Sequence, residues 1–88
     1  MGKPSMTTVR QVKAARALLG WSQIDLAVKS GVSVPTIERL EAQDGELGGR
    51  PDTIERIIAA LVSAGIAFLN GGEPGVRLTK RRKRPLSR

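Results

Sequence analysis

The 88-residue sequence contains no cysteine and no histidine. Lacking cysteine, it has no disulfide, no thiolate nucleophile and no thiolate metal ligand. Lacking histidine, it has neither the commonest general base nor the usual imidazole ligand for zinc. Its aromatic residues are Trp21 and Phe68, too few for the stacking platforms of single-strand binders. No apolar run approaches the roughly 20 residues of a membrane-spanning helix. The N-terminal MGKPSMTTVR has no apolar h-region of a signal peptide. The carboxylates are scattered or placed as helix caps and charge partners. Gly71, Gly72 and Gly75 do not form a phosphate-cradling loop ahead of a helix. These absences predict a soluble, cytoplasmic, non-enzymatic protein with no metal, no cofactor and no membrane association.

What is present is basic charge, unevenly placed. The net charge is +7, but six cations (Lys80, Arg81, Arg82, Lys83, Arg84 and Arg88) stand in the last nine residues with no carboxylate among them. The preceding 79 residues carry nine basic and eight acidic groups. A nearly neutral body thus ends in a polycation, and non-specific attraction to phosphate is expected mostly from that tail. A chain of this length makes one small domain with a limited core, a class that often gains stability by association.

The organisation follows from punctuation and period. Residues 1–6 read as a flexible arm broken by Gly2 and Pro4. A first helix is predicted over about Thr8–Leu19, with Val9, Val12, Ala15 and Leu19 near one face and Gly20 as its stop. Ser22 is placed to cap a second helix with Asp25 as its reciprocal partner, and Trp21 and Leu26 form a hydrophobic staple. Ser33 caps a third helix with Pro35 in the first turn, where a missing N–H costs little. Residues 42–51 form a loop. A fourth helix is expected over about Thr53–Ala64, capped by Asp52, with Ile54, Ile57, Ile58 and Leu61 as its buried stripe. Then IAFL (66–69) and VRLT (76–79) alternate as β-prone runs around the turn formers NGGEPG. They are expected to pair as a hairpin or with a second chain. The tail 80–88 is expected to be disordered.

Residues 20–41, GWSQIDLAVKSGVSVPTIERLE, carry the functional signal. Two short helices meet at Gly31, where the chain must turn sharply, and Leu26, Ala27, Val32, Ile37 and Leu40 supply the matching apolar positions. This is a helix-turn-helix pattern, which places its second helix in the DNA major groove. The run W-S-Q-x-D-L-A-x-x-S-G-V-S-x-x-T-I-E-R-L-E resembles the Cro/C1-type helix-turn-helix domain of phage repressors and the wider XRE group of bacterial regulators, over about Val9–Leu61. The resemblance implies a mainly α, four-helix, lambda-repressor-like domain (7–65). Here a β-hairpin or strand pair (66–79) replaces the usual fifth helix, and a basic tail follows. The ending resembles small bacterial members with such a β-type segment.

Candidate contacts divide into three sets. Arg39, on the outer face of the third helix, has the guanidinium fork that matches O6 and N7 of guanine; the competing reading is a surface arginine paired with Glu38 or Glu41. Val34 and Pro35 precede it on the side away from the core, and the resemblance implies contact with base edges, by apolar touch on thymine methyls. Thr36 can bond a base or a phosphate. Glu38 can accept from a cytosine amino group, or pair internally. The resemblance gives Gln23 a backbone phosphate to bond and the recognition helix to brace. Ser22, Lys13, Gln43 and Arg50 are candidate phosphate contacts at the rim, and Lys80, Arg81 and Arg82 in the tail. Such contacts position a protein without specifying sequence. The resemblance makes Arg16 and Glu41 a structural ion pair.

The expected function is a sequence-specific regulator of transcription on double-stranded DNA. It would be a homodimeric repressor or autoregulator on a palindromic operator, associated with the nucleoid, with residues 66–79 as the candidate dimer element. The alternative is a protein-interaction module of antitoxin or anti-activator type that keeps the fold and binds a regulatory partner through those strands. A third reading, non-specific nucleic-acid binding by the tail, predicts that deleting residues 80–88 abolishes binding.

Overall fold

The structure is a computed structural model and describes residues 7–70 and 72–79. Its elements are α1 (Val9–Leu19), α2 (Gln23–Ser30), α3 (Val34–Glu41), α4 (Pro51–Ser63), β1 (Ile66–Leu69) and β2 (Gly75–Leu78). The arm expected at 1–6 and the tail expected at 80–88, with Lys80, Arg81 and Arg82, lie outside the described residues.

Helix starts follow side-chain chemistry. Thr8 Oγ1 accepts the Gln11 N–H at 3.1 Å and Gln11 Oε1 accepts the Thr8 N–H at 2.9 Å. Ser22 and Asp25 repeat the exchange at 3.0 and 2.9 Å. Each box satisfies two N–H groups that a bare helix start leaves open. Ser33 caps α3. Gly20 and Gly31 end α1 and α2 with φ of 72° and 77°, left-handed values that glycine adopts without a Cβ penalty.

The fourth helix starts earlier than its pattern suggests. It begins at Pro51, with Arg50 at the N-cap and no side-chain cap bond, so Asp52 lies inside the first turn. Proline explains the shift: its ring holds φ near the helical value and its absent N–H is no loss at the first position.

Apolar stripes from every helix meet in one core. Leu26, Ile37, Ile57 and Leu61 are its largest buried members, with Val9 and Val12 from α1 and Ile66 from β1. Leu47 joins them from the 42–51 loop. That loop is stitched to the start of α1: Val9 N–H donates to Gly45 O and Leu47 N–H to Thr7 O, both at 2.9 Å.

The two strands pair with each other, antiparallel, with Ile66 opposite Leu78 and Leu69 opposite Gly75. The second strand is thus shifted one residue from VRLT. Thr79 instead closes the open end, donating its N–H to Gly65 O at 2.8 Å. Gly65 has φ of 109°, and a Cβ there would stand 2.9 Å from Thr79 O, so the hairpin's entry requires glycine. The hairpin's turn end is held by the buried side chain of Gln11. Its Nε2 donates to Gly75 O at 2.9 Å and Leu69 O at 3.0 Å, and stands 3.3 Å from Asn70 Oδ1.

Candidate nucleic-acid interface

Helices α2 and α3 are joined by Gly31, Val32 and Ser33. Val32 is buried in the core and its N–H donates to Ser30 Oγ at 3.2 Å, which closes the turn. Along α3, Ile37, Leu40 and Glu41 face inward. Pro35, Glu38 and Arg39 are exposed, and Val34 and Thr36 are half-buried. The helix therefore has one fastened face and one free face.

The inward fastening includes a charge cluster as well as apolar packing. Arg16 Nε and Nη2 donate to the two carboxylate oxygens of Glu41 at 2.8 and 2.7 Å, a bidentate pair. Arg16 Nη1 also donates to Trp21 O at 2.9 Å. Gln23 Nε2 donates to Glu41 Oε1 at 3.0 Å, and Lys13 Nζ lies 3.4 Å from Glu41 O. Residues of α1 and α2 thus converge on the last residue of α3. Burial pushes the Glu41 carboxyl up, but the bonds from Arg16 and Gln23 and the charges of Arg16 and Lys13 outweigh it and hold the group below the ordinary glutamate value. The bond to Glu41 raises Arg16 against the opposing effect of burial. The cluster fixes the tilt of α3 on the body.

On the free side, Thr36, Arg39 and Gln43 line a cleft of about 540 Å³ together with Arg50, Asp52 and Thr53 from the start of α4. Gly49 lines it too, close to Leu40, where a Cβ would meet Leu40 Cδ2 at 3.1 Å. Arg50 Nε lies 3.6 Å from Asp52 Oδ1, with both side chains largely in solvent. No ion pair of Arg39 is found among the described residues. Arg39 is exposed and lines the cleft, which leaves its guanidinium available there.

The structure therefore gathers Thr36, Arg39, Gln43 and Arg50 in one place. Ser22 stands apart, at the start of α2, in its capping box. Lys13 and Gln23 are drawn toward Glu41. Val34 and Pro35 sit on the first turn of α3, outside the cleft lining. Thr53 and Gly49 were not among the sequence candidates. The paired glycines of the loop were the available signal for a close approach there.

The sequence profile described as helix-turn-helix matches residues 12–61, more than half of the chain. The chain belongs to the Cro/C1-type helix-turn-helix family. No curated relative matches the sequence. In this helix-turn-helix protein α2 and α3 are the helix pair, and the matched span also takes in most of α1 and α4. The hairpin lies wholly outside it. Among the described residues no helix is long and apolar enough to cross a membrane, and no three metal-ligating side chains gather.

Proposed function

We propose that this helix-turn-helix protein is a sequence-specific regulator of transcription that reads double-stranded DNA with α3. One observation carries the reading. The outer face of α3 is free, and it is continuous with a cleft holding Arg39 and Arg50, while the inner end of the helix is locked through Glu41. A docked helix needs both: a presented face to meet base edges and a rigid mount to fix their register. Arg39 reads guanine; Val34, Pro35, Thr36 and Glu38 contact the neighbouring base edges; Ser22, Gln23, Lys13, Gln43 and Arg50 contact phosphates. Lys80, Arg81 and Arg82 add salt-sensitive affinity.

The protein acts as a homodimer on a palindromic operator, as a repressor or autoregulator, in the cytoplasm at the nucleoid. The hairpin is the dimer element. Support comes from its two strands, which among the described residues pair in a sheet only with each other, and from Leu69 and Leu78, which are 41% and 38% exposed. Selection of bound duplexes from a random DNA pool at near-physiological salt tests the reading. A palindrome with half-sites about one helical turn apart is expected. Enrichment of nothing, with binding lost on a modest rise in salt, would contradict it.

A protein-partner reading has one observation in its favour. Ile24 and Val28, one turn apart on α2, are 63% and 75% exposed. If Ile24 and Val28 or the 66–79 strands serve a protein partner and α3 reads no DNA, changing Arg39 leaves function intact.

A further inference from the structure

A second concave surface lies between α2 and α4. It holds about 380 Å³ and shares no lining residue with the Arg39 cleft. Lys29 of α2 and Arg56 of α4 line it, with Trp21 just ahead of α2 and the small side chains of Ala60 and Ala64. No carboxylate lines it.

Both cations have an acidic residue placed to neutralise them. Asp25 precedes Lys29, and Asp52 precedes Arg56, at the i, i+4 spacing of helical ion pairs. The structure commits both carboxylates elsewhere. Asp25 Oδ2 accepts the Ser22 N–H at 2.9 Å, and Asp52 Oδ1 lies 3.6 Å from Arg50 Nε. No ion pair of Lys29 or Arg56 is found among the described residues. Lys29 Nζ instead stands over the Trp21 ring, 5.9 Å from its centroid. Ser30 lines the same groove and is 9% exposed. Its Oγ accepts the Val32 N–H, and no acceptor for its hydroxyl proton is found among the described residues.

The groove thus offers two unpaired cations and a hydroxyl donor around a floor of alanine. The donors suit carboxylates, and the floor suits an apolar side chain. A DNA phosphate would meet the cations and leave the floor uncovered. A small organic acid would be poorly enclosed, since a pocket buries most of such a ligand, whereas Lys29, Arg56, Ala59 and Ser63 are exposed. A polypeptide that covers the groove from outside meets both requirements. We propose that the α2–α4 groove binds an acidic segment of a partner protein. Its carboxylates pair with Lys29 and Arg56, and an apolar side chain between them packs on Ala60, Ala64 and Trp21. This site goes beyond the DNA-reading role and does not depend on it.

An acidic peptide will also meet the cations of residues 80–88, so the readout must be local. Trp21 is the single tryptophan of the chain and lines the groove, and its emission supplies that readout. The full chain is titrated with a capped synthetic peptide of repeated Glu-Glu-Leu. A saturable shift in emission is expected, weakening as salt rises. Replacing the glutamates by glutamine, or the leucines by serine, should weaken binding about tenfold in either case. In Lys29→Gln, Arg56→Gln, with an unchanged melting curve, affinity should also fall about tenfold, the equivalent of two surface ion pairs. Lys29→Glu, Arg56→Glu should instead prefer the peptide with lysine in place of glutamate. Emission unmoved by the acidic peptide at millimolar concentration overturns the inference. A shift of equal affinity in the glutamine double variant overturns the assignment to this groove. A random-sequence duplex that moves Trp21 emission through Lys29 and Arg56, where the peptide does not, makes the groove a phosphate contact and overturns it too. Selection of duplexes by α3 is a separate measurement, so failure of either reading leaves the other standing.

Discussion

The helical body and the hairpin are held in different ways. In the body, α1 to α4 each turn an apolar stripe inward, and Leu26, Ile37, Ile57 and Leu61 are buried against one another. Each such side chain contributes about 1.5–3 kcal/mol by leaving water. The hairpin buries Ile66 fully, with Phe68 and Val76 packed partly against the core. Its turn end depends on one glutamine side chain, Gln11, and its open end on the Thr79–Gly65 bond. A two-stranded hairpin is marginal alone and needs a surface to pack on. The two parts draw their stability from different sources: many redundant contacts in the body, a few specific polar ones in the hairpin. Within the body a buried polar cluster at Glu41 adds to the apolar contacts.

The largest effect is expected on removing that cluster's centre. Glu41→Ala leaves the largely buried Arg16 guanidinium without its carboxylate. Loss of one partner from such a pair costs about 3–5 kcal/mol, and the lower figure is expected here because the Arg16 side chain remains 18% exposed. Urea unfolding of the two proteins measures it. The same cluster predicts the acid limit. Glu41 titrates lower folded than unfolded. Its contribution is therefore complete above the ordinary glutamate value of about 4.3 and is lost as pH falls through the lower folded value. Stability against pH should fall less steeply over that range in Glu41→Gln.

The hairpin is broken more selectively. Gln11→Ala leaves Leu69 O and Gly75 O without their side-chain donor, at a cost of about 1–3 kcal/mol. Hydrogen exchange should show protection lost over 66–79 with α2 and α3 little changed. Equal loss in both regions would mean that the hairpin and body form one cooperative unit. The smallest effect is expected at Asp44→Asn. Asp44 is held low by the Gly45 backbone bond and by Arg10. Both side chains of that ion pair are in solvent, 81% and 73% exposed, where such pairs contribute little. Its melting temperature should match that of the unchanged protein within error.

The same contrast separates what the sequence discloses from what it does not. Val9, Val12 and Ala15, the glycine stops at 20 and 31, and the Ser22–Asp25 box are local signals, and local geometry realises them. The start of α4 was displaced because two local rules competed, an aspartate cap and a proline at the first helical position, and the proline prevailed. Gln11 gives no warning of its role. It caps its own helix through Oε1 and reaches strands more than 50 residues away through Nε2. Leu47 is likewise buried from within a loop whose composition reads as solvent-facing. At the site, the outer face of α3 is legible because its period is. The cleft with Arg50 needed the fold, since the glycine-rich loop brings Arg50 back beside Arg39. The Arg16–Glu41 pair spans 25 residues, and spacing alone does not indicate it.

In the proposed function α3 reads bases and Arg39 is its guanine reader. The most direct measurement is to select bound duplexes from a random pool with the unchanged protein and with Arg39→Ala in parallel, after melting curves show equal stability. The expected motif loses its guanine preference at one position per half-site in the variant, a loss of about 1–3 kcal/mol of discrimination there, with the remaining positions retained. An identical motif from both proteins would contradict it.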